Sequence, residues 1–260
     1  MTRVVRNAAL LCACVGGLML AGAALASTPD EAQSTLGSNW PKAAWRKWIV
    51  VEGYTTVAGV RTPDQPDANP AQSFFGSYEV TINNNAGSPL SGVSVCIDFS
   101  GCPDVRLSCD QLTPETGQTL VGTTTVCGNT NAAGKFTFKV QGGGKAAPLP
   151  PNGVTPGSPA DTTVAGCAQV TANTVPFSQK LKVTIYDVNG AGSPAAAVSG
   201  ADAALIALEA SRTPTFNPAY ARSDYNHDAK TTGADAAASA VMATQASGGT
   251  GSRVTAPFCP

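Results

Sequence analysis

The stretch SYEVTINNNAGSPLSGVSVCIDF, Ser77 to Phe99, decides how most of the chain is built. Tyr78, Val80 and Ile82 alternate with Glu79 and Thr81, the two-residue period of a strand with one buried face. Asn85, Gly87 and Pro89 then break the chain, and Val93, Val95 and Ile97 resume the alternation on one face. TTTVCGNTNAAGKFTFKVQ, Thr123 to Gln141, repeats the design, with a turn at Gly134 and Phe136, Phe138 and Val140 alternating. Upstream, WRKWIVVEG (Trp45–Gly53) is a bulky, β-rich run that reads as the first strand, and Asp64–Ala71 reads as loop. Downstream, CAQVTA (Cys167–Ala172) and LKVTIYDV (Leu181–Val188) add two short strands. Short strands parted by turn residues, with almost no helical periodicity before residue 200, predict a mainly β chain with a β-sandwich over residues 45–186. Gly142 to Pro159 is rich in Gly and Pro and reads as a long surface loop inside that unit, because a sandwich cut at Gln141 would lack its closing strands.

VTINNNAGSPLSGVSVCIDF followed by NTNAAGKFTFKV resembles the bacterial immunoglobulin-like and carboxypeptidase-regulatory-like sandwiches of surface proteins. The resemblance implies an immunoglobulin-like fold used as spacer, stalk or adhesive module, and a shared fold of this kind does not select among them.

The N-terminus reads as a processing signal rather than fold. Arg3 and Arg6 precede an apolar run from Ala8 to Leu25, and Ala24-Leu25-Ala26 offers a small-x-small cleavage site, so residues 1–26 are expected to be a signal peptide. An uncleaved anchor is the competing reading, disfavoured by Gly16, Gly17 and Gly22. Residues 27–44 are polar at their start and are expected to be flexible. Cleavage removes two basic groups and no acid, leaving 14 Lys and Arg against 17 Asp and Glu, a balance of −3. That balance, without a basic cluster, excludes nucleic acid as an expected partner, and no second apolar run is long enough for a membrane.

Six cysteines lie beyond the cleavage site: Cys96, Cys102, Cys109, Cys127, Cys167 and Cys259. In an exported chain they are expected to form three disulfides, in a connectivity the spacing leaves open. No pair has C-x-x-C spacing and the one histidine, His227, is distant, which argues against a zinc site.

A different periodicity begins at residue 187. Asp224, Asn226, Asp228 and Asp235 occupy positions 1, 3, 5 and 12 of a twelve-residue loop, with Lys230 at 7 and Thr232 at 9. Calcium takes six to eight hard oxygens, and an EF-type loop supplies them from these positions, position 7 through its carbonyl. Thr232 is placed to cap the Ala-rich helix that follows. Asp187, Asn189 and Gly192 start a second such loop, completed by Val198 to Asp202 once Pro194 to Ala197 are taken as an insertion. Its helix, ADAALIALEA, offers Leu205, Ile206 and Leu208 as apolar contacts. The echo of Asp-x-Asn and Gly-Ala-Asp-Ala-Ala marks a duplication with Asp202 and Asp235 33 residues apart.

Two such loop–helix units over residues 187–247 resemble the dockerin fold. The resemblance implies Ca²⁺ held by Asp224, Asn226, Asp228, the Lys230 carbonyl and Asp235, and a second ion held by Asp187, Asn189, the Ser193 carbonyl and Asp202. It also implies docking onto a cohesin-like or other exported protein through Gly200-Ala201 and Gly233-Ala234. The departures from the pattern are Ala229 at the usual glycine of the second loop, and Ala191 at position 5 of the first. The loss of a carboxylate predicts the weaker site at the first loop. Residues 248–260 are expected to be a tail.

No nucleophile motif, zinc-protease helix or phosphate-cradling loop occurs in a suitable context, and the five glutamates of the mature chain (31, 52, 79, 115 and 209) form no evident acid–base pair. The expected function is therefore that of a secreted or cell-surface, non-enzymatic protein with a calcium-dependent structural or docking module. The alternative is an adhesin or carbohydrate-binding module acting through the sandwich.

Overall fold

The computed structural model describes residues 28–38, 48–52, 54–57, 60–63, 77–102, 105–111, 116–144, 166–185, 197–198, 200–212, 232–245, 253–254 and 259. Among these the chain is mainly β, with two helices late in the sequence. Eight strands form one sheet in the order β7 (Val105–Leu107), β11 (Val140–Gly144), β2 (Trp48–Glu52), β13 (Val175–Ile185), β12 (Ala168–Ala172), β6 (Ser94–Asp98), β9 (Thr125–Asn129) and β8 (Thr119–Val121). A second sheet orders β1 (Thr35–Leu36), β5 (Tyr78–Thr81) and β10 (Lys135–Phe138). A third orders β14 (Ala197–Val198), β15 (Arg253–Val254), β3 (Tyr54–Val57) and β4 (Val60–Pro63).

The alternations of the sequence become the core. Tyr78, Val80 and Phe138 from the three-stranded sheet share one buried cluster with Val95, Ile97, Val126, Val170, Leu181 and Val183 from the eight-stranded sheet. Each such side chain contributes about 1.5–3 kcal/mol on burial. β2 runs parallel to both of its neighbours, β11 and β13. Its Ile49 is buried in the same core. The Asn131–Gly134 turn before β10 requires its glycine: Gly134 has φ +70°, and a Cβ there would lie 2.6 Å from the Ile82 carbonyl oxygen. Gly128 in β9 is covered by the Phe136 ring, which occupies the space a side chain would need.

Three expectations change. First, the described part of the segment expected to be flexible, Thr28 to Ser38, is tied down. β1 pairs with β5, placing Leu36 opposite Val80. Ser34 Oγ donates to the Asp30 carbonyl (2.6 Å) and accepts from Asn83 N–H (3.0 Å). Glu31 Oε1 accepts from both Ser178 N–H (2.7 Å) and Ser178 Oγ (2.5 Å). Polar residues that look loose in sequence find partners here because the neighbouring strands present free backbone edges.

Second, Gly142 to Gly144, read as the start of a surface loop, are buried strand. They pair antiparallel with Leu107, Arg106 and Val105 of β7. Backbone ladders supply the stabilisation a glycine run lacks in side chains. The rest of that expected loop, from residue 145 to Pro159, lies outside the described residues.

Third, the described residues of the expected tail are part of the fold. β15 pairs with β14 and, through Val254, with Tyr54 of β3, and Cys259 is disulfide-bonded to Cys109. A strand on either side of the helical segment therefore joins residues 54–63 in one sheet, across the boundary drawn at residue 186.

The sheet also contains a polar device. Beside β11, β7 reaches only Gly142–Gly144. For residues 139 and 141, glutamine side chains take the place of a strand. Gln111 Oε1 accepts from Gln141 N–H (2.9 Å) while its Nε2 donates to the Gln141 carbonyl (2.8 Å). Gln118 treats Lys139 the same way, at 2.9 and 2.5 Å. Gln111 and Gln118 are both buried, and their amides satisfy the backbone groups of buried Gln141 and half-buried Lys139.

Candidate metal loops and the helix pair

The helices are α1 (Gly200–Arg212) and α2 (Gly233–Gln245), and they pack against each other. Thr232 caps α2 as its position predicts: its Oγ1 accepts from Ala234 N–H at 3.2 Å. Asp235 reaches back, its Oδ2 accepting from Thr232 N–H (2.7 Å) and from Thr232 Oγ1 (3.0 Å). The pair forms a capping box, with the carboxylate also favoured by the positive end of the helix dipole.

Of the nine expected calcium ligands, Asp202 and Asp235 are described. Both are fully buried, each in the first turn of its helix. The other seven, Asp187, Asn189, Ser193, Asp224, Asn226, Asp228 and Lys230, lie outside the described residues, as does the expected signal peptide. Among the described residues no three His, Cys, Asp or Glu side chains cluster as a metal site would require.

The duplication is visible in packing. Asp202 and Ile206 lie four residues apart on the buried face of α1, and Asp235 and Ser239 lie four apart on that of α2. Ala236 and Ala238 of α2 are buried as well. Leu208, expected as an apolar contact, is instead 41% exposed, because two residues beyond Ile206 the helix has turned its side chain away. Leu205, on the flank of the buried face, is half-buried. Ser239 stands where the first repeat has Ile206, and its Oγ is buried without a hydrogen-bond partner.

The six cysteines beyond the expected cleavage site are all paired, as Cys96–Cys127, Cys102–Cys167 and Cys109–Cys259. The first joins directly opposed residues of β6 and β9. Three such bonds indicate an oxidising, extracytoplasmic environment. Among the described residues no helix is long and apolar enough to cross a membrane.

The perturbed carboxylates are local. At Asp98 burial acts to raise the pKa, but hydrogen bonds from Ser100 Oγ (2.7 Å), Ser100 N–H (2.9 Å) and the Thr125 and Thr124 hydroxyls (3.2 Å each) outweigh it and hold the carboxyl below its usual range. At Glu79 burial is likewise outweighed, here by Lys135 Nζ (2.9 Å) and Ser38 Oγ (2.8 Å). Each carboxylate braces neighbouring strands or a turn. The glutamine clamp was not legible in sequence, since nothing in the spacing of Gln111 and Gln118 points to residues 139 and 141.

Compared with known proteins, the chain matches no family model, no curated protein and no solved structure.

Proposed function

We propose that this is a secreted or cell-surface, non-enzymatic protein in which an immunoglobulin-like β-sandwich carries a dockerin-like calcium module. The observation that carries the reading is the pair Asp202 and Asp235. They are equivalent residues of a duplication, fully buried in the first turns of two helices that pack together. Each of these carboxylates closes a loop of oxygen-bearing residues, the position from which an EF-type loop supplies its last ligand, and Thr232 engages Asp235 through Oδ2. Asp224, Asn226, Asp228, the Lys230 carbonyl and Asp235 would hold the stronger ion, with Asp187, Asn189, the Ser193 carbonyl and Asp202 holding the weaker. Bound calcium would order the loops and fix the helix pair, a structural role.

Gly200, Ala201, Gly233 and Ala234 are exposed at the two helix starts, which supports docking of an exported, cohesin-like partner over these small side chains. The test is thermal melting with calcium and with chelator. At a concentration 100-fold above Kd a single site adds about 2.7 kcal/mol. An unchanged midpoint at millimolar calcium, together with a silent Asp224→Ala variant, refutes the reading. Glycan binding that survives chelation would instead move the function to the sandwich.

A further inference from the structure

The three disulfides differ in what they hold. Cys102 and Cys167 are 1% and 4% exposed, inside the core cluster. Cys96 and Cys127 are half-buried and directly opposed in the β6–β9 ladder, whose five register pairs keep the strands together without the bond. Cys109 alone of the six is exposed, and its partner Cys259 is half-buried. Their bond spans 150 residues, the widest separation of the three, and encloses both helices.

Among the described residues, the backbone pairings at this end of the chain are short. β15 is two residues long and meets β3 at a single register pair, Val254 with Tyr54. Beyond it, Cys259 N–H donates to the Leu107 carbonyl at 3.2 Å. β15 also pairs with β14, immediately before α1, and α2 lies against both strands. Whatever loosens residue 259 therefore acts on the strands that brace the helix pair.

We propose that Cys109–Cys259 is a thiol-addressable latch: a dithiol reductant opens it ahead of the other two disulfides, freeing β15 and loosening the helix pair while the eight-stranded sheet keeps its fold. In the first step a thiolate of the reductant attacks the sulfur of Cys109, the exposed residue of the pair, forming a mixed disulfide and expelling Cys259 as thiolate. The second thiol of the reductant then displaces Cys109. The protein gains two thiols, the reductant departs as its disulfide, and two electrons have passed. Rates of such exchange follow access to the attacked sulfur, which orders the three bonds. Opening the latch removes the covalent closure, and a pairing as short as that of β15 belongs to the least protected class of local structure.

The experiment is timed reduction of the purified protein with dithiothreitol in chelator, quenched by alkylation and read by peptide mapping, with amide hydrogen exchange on the same samples. The expected result is labelling of Cys109 and Cys259 at least about tenfold faster than Cys102 and Cys167. In that partly reduced protein, exchange rises over residues 200–212, 233–245 and 253–254 and is unchanged in β6, β9 and β12. The double variant Cys109→Ser, Cys259→Ser reproduces this exchange pattern without reductant. Simultaneous labelling of all six cysteines, earlier labelling of Cys96 and Cys127, or unchanged exchange in the helices overturns the proposal. Loss of protection throughout the eight-stranded sheet, or failure of the double variant to fold, also overturns it, because the bond would then be a staple for the whole fold.

Discussion

Replacing Gln111 by Met keeps the length and much of the volume of the side chain and removes its amide. The amide has three roles around Gln141 and Ser108: Oε1 accepts from Gln141 N–H at 2.9 Å, and Nε2 donates to the Gln141 carbonyl at 2.8 Å and to the Ser108 carbonyl at 2.7 Å. The Gln141 carbonyl keeps a second donor, Ser108 N–H at 2.9 Å, so its loss is partial. Gln141 N–H loses its acceptor in a place of zero exposure, and no water can replace it. An orphaned buried donor costs about 1–3 kcal/mol, and the partial losses at two carbonyls add a smaller amount. The sum is about 2–3 kcal/mol, which for a protein of this size lowers the melting midpoint by roughly 4–12 °C. Urea titration of the disulfide-intact protein should give that loss through a lower midpoint with an unchanged slope. A change below about 0.5 kcal/mol would refute the idea that the glutamine amides substitute for a strand, since surface substitutions commonly fall in that range.

Orphaned hydroxyls predict the opposite sign. Ser239→Ala and Thr184→Val each delete a buried oxygen that has no partner, and should raise stability by about 1 kcal/mol in the same titration. A loss in both would show that the hydroxyls are bonded. In the β12–β13 turn Thr174 has φ +70°, costly for a β-branched residue, so Thr174→Gly should stabilise by about 1 kcal/mol despite its added chain entropy. The Asp98 carboxyl is held below its usual range, so its hydrogen bonds stabilise the fold above the unfolded-state value, near pH 4, and lose that effect as pH falls through the folded-state value. The difference in stability between wild type and Asp98→Asn should therefore be full at pH 7 and shrink on acidification; a gap independent of pH would contradict this.

What was legible in the sequence was local. The alternation of Tyr78, Val80 and Ile82, and of Val93, Val95 and Ile97, reports which side chains leave water, and all six are buried. The helix starts at Gly200 and Gly233 and the cap at Thr232 follow from propensity and hydrogen bonding within four residues. The duplication, too, is a property of the string itself, and it marks Asp202 and Asp235 as equivalent positions.

What the tertiary structure decided is everything that depends on partners distant in the chain. Six cysteines have fifteen possible pairings, and only the folded backbone brings Cys109 to Cys259. Gly142 to Gly144 have no side chains to announce burial, and become strand because β7 offers them backbone partners. β14 and β15, two residues each, carry no periodicity at all, so only tertiary pairing makes them strands. Side-chain pattern records burial along a segment, whereas backbone hydrogen bonds are chemically alike at every residue. Which edge meets which is therefore set by the packed whole.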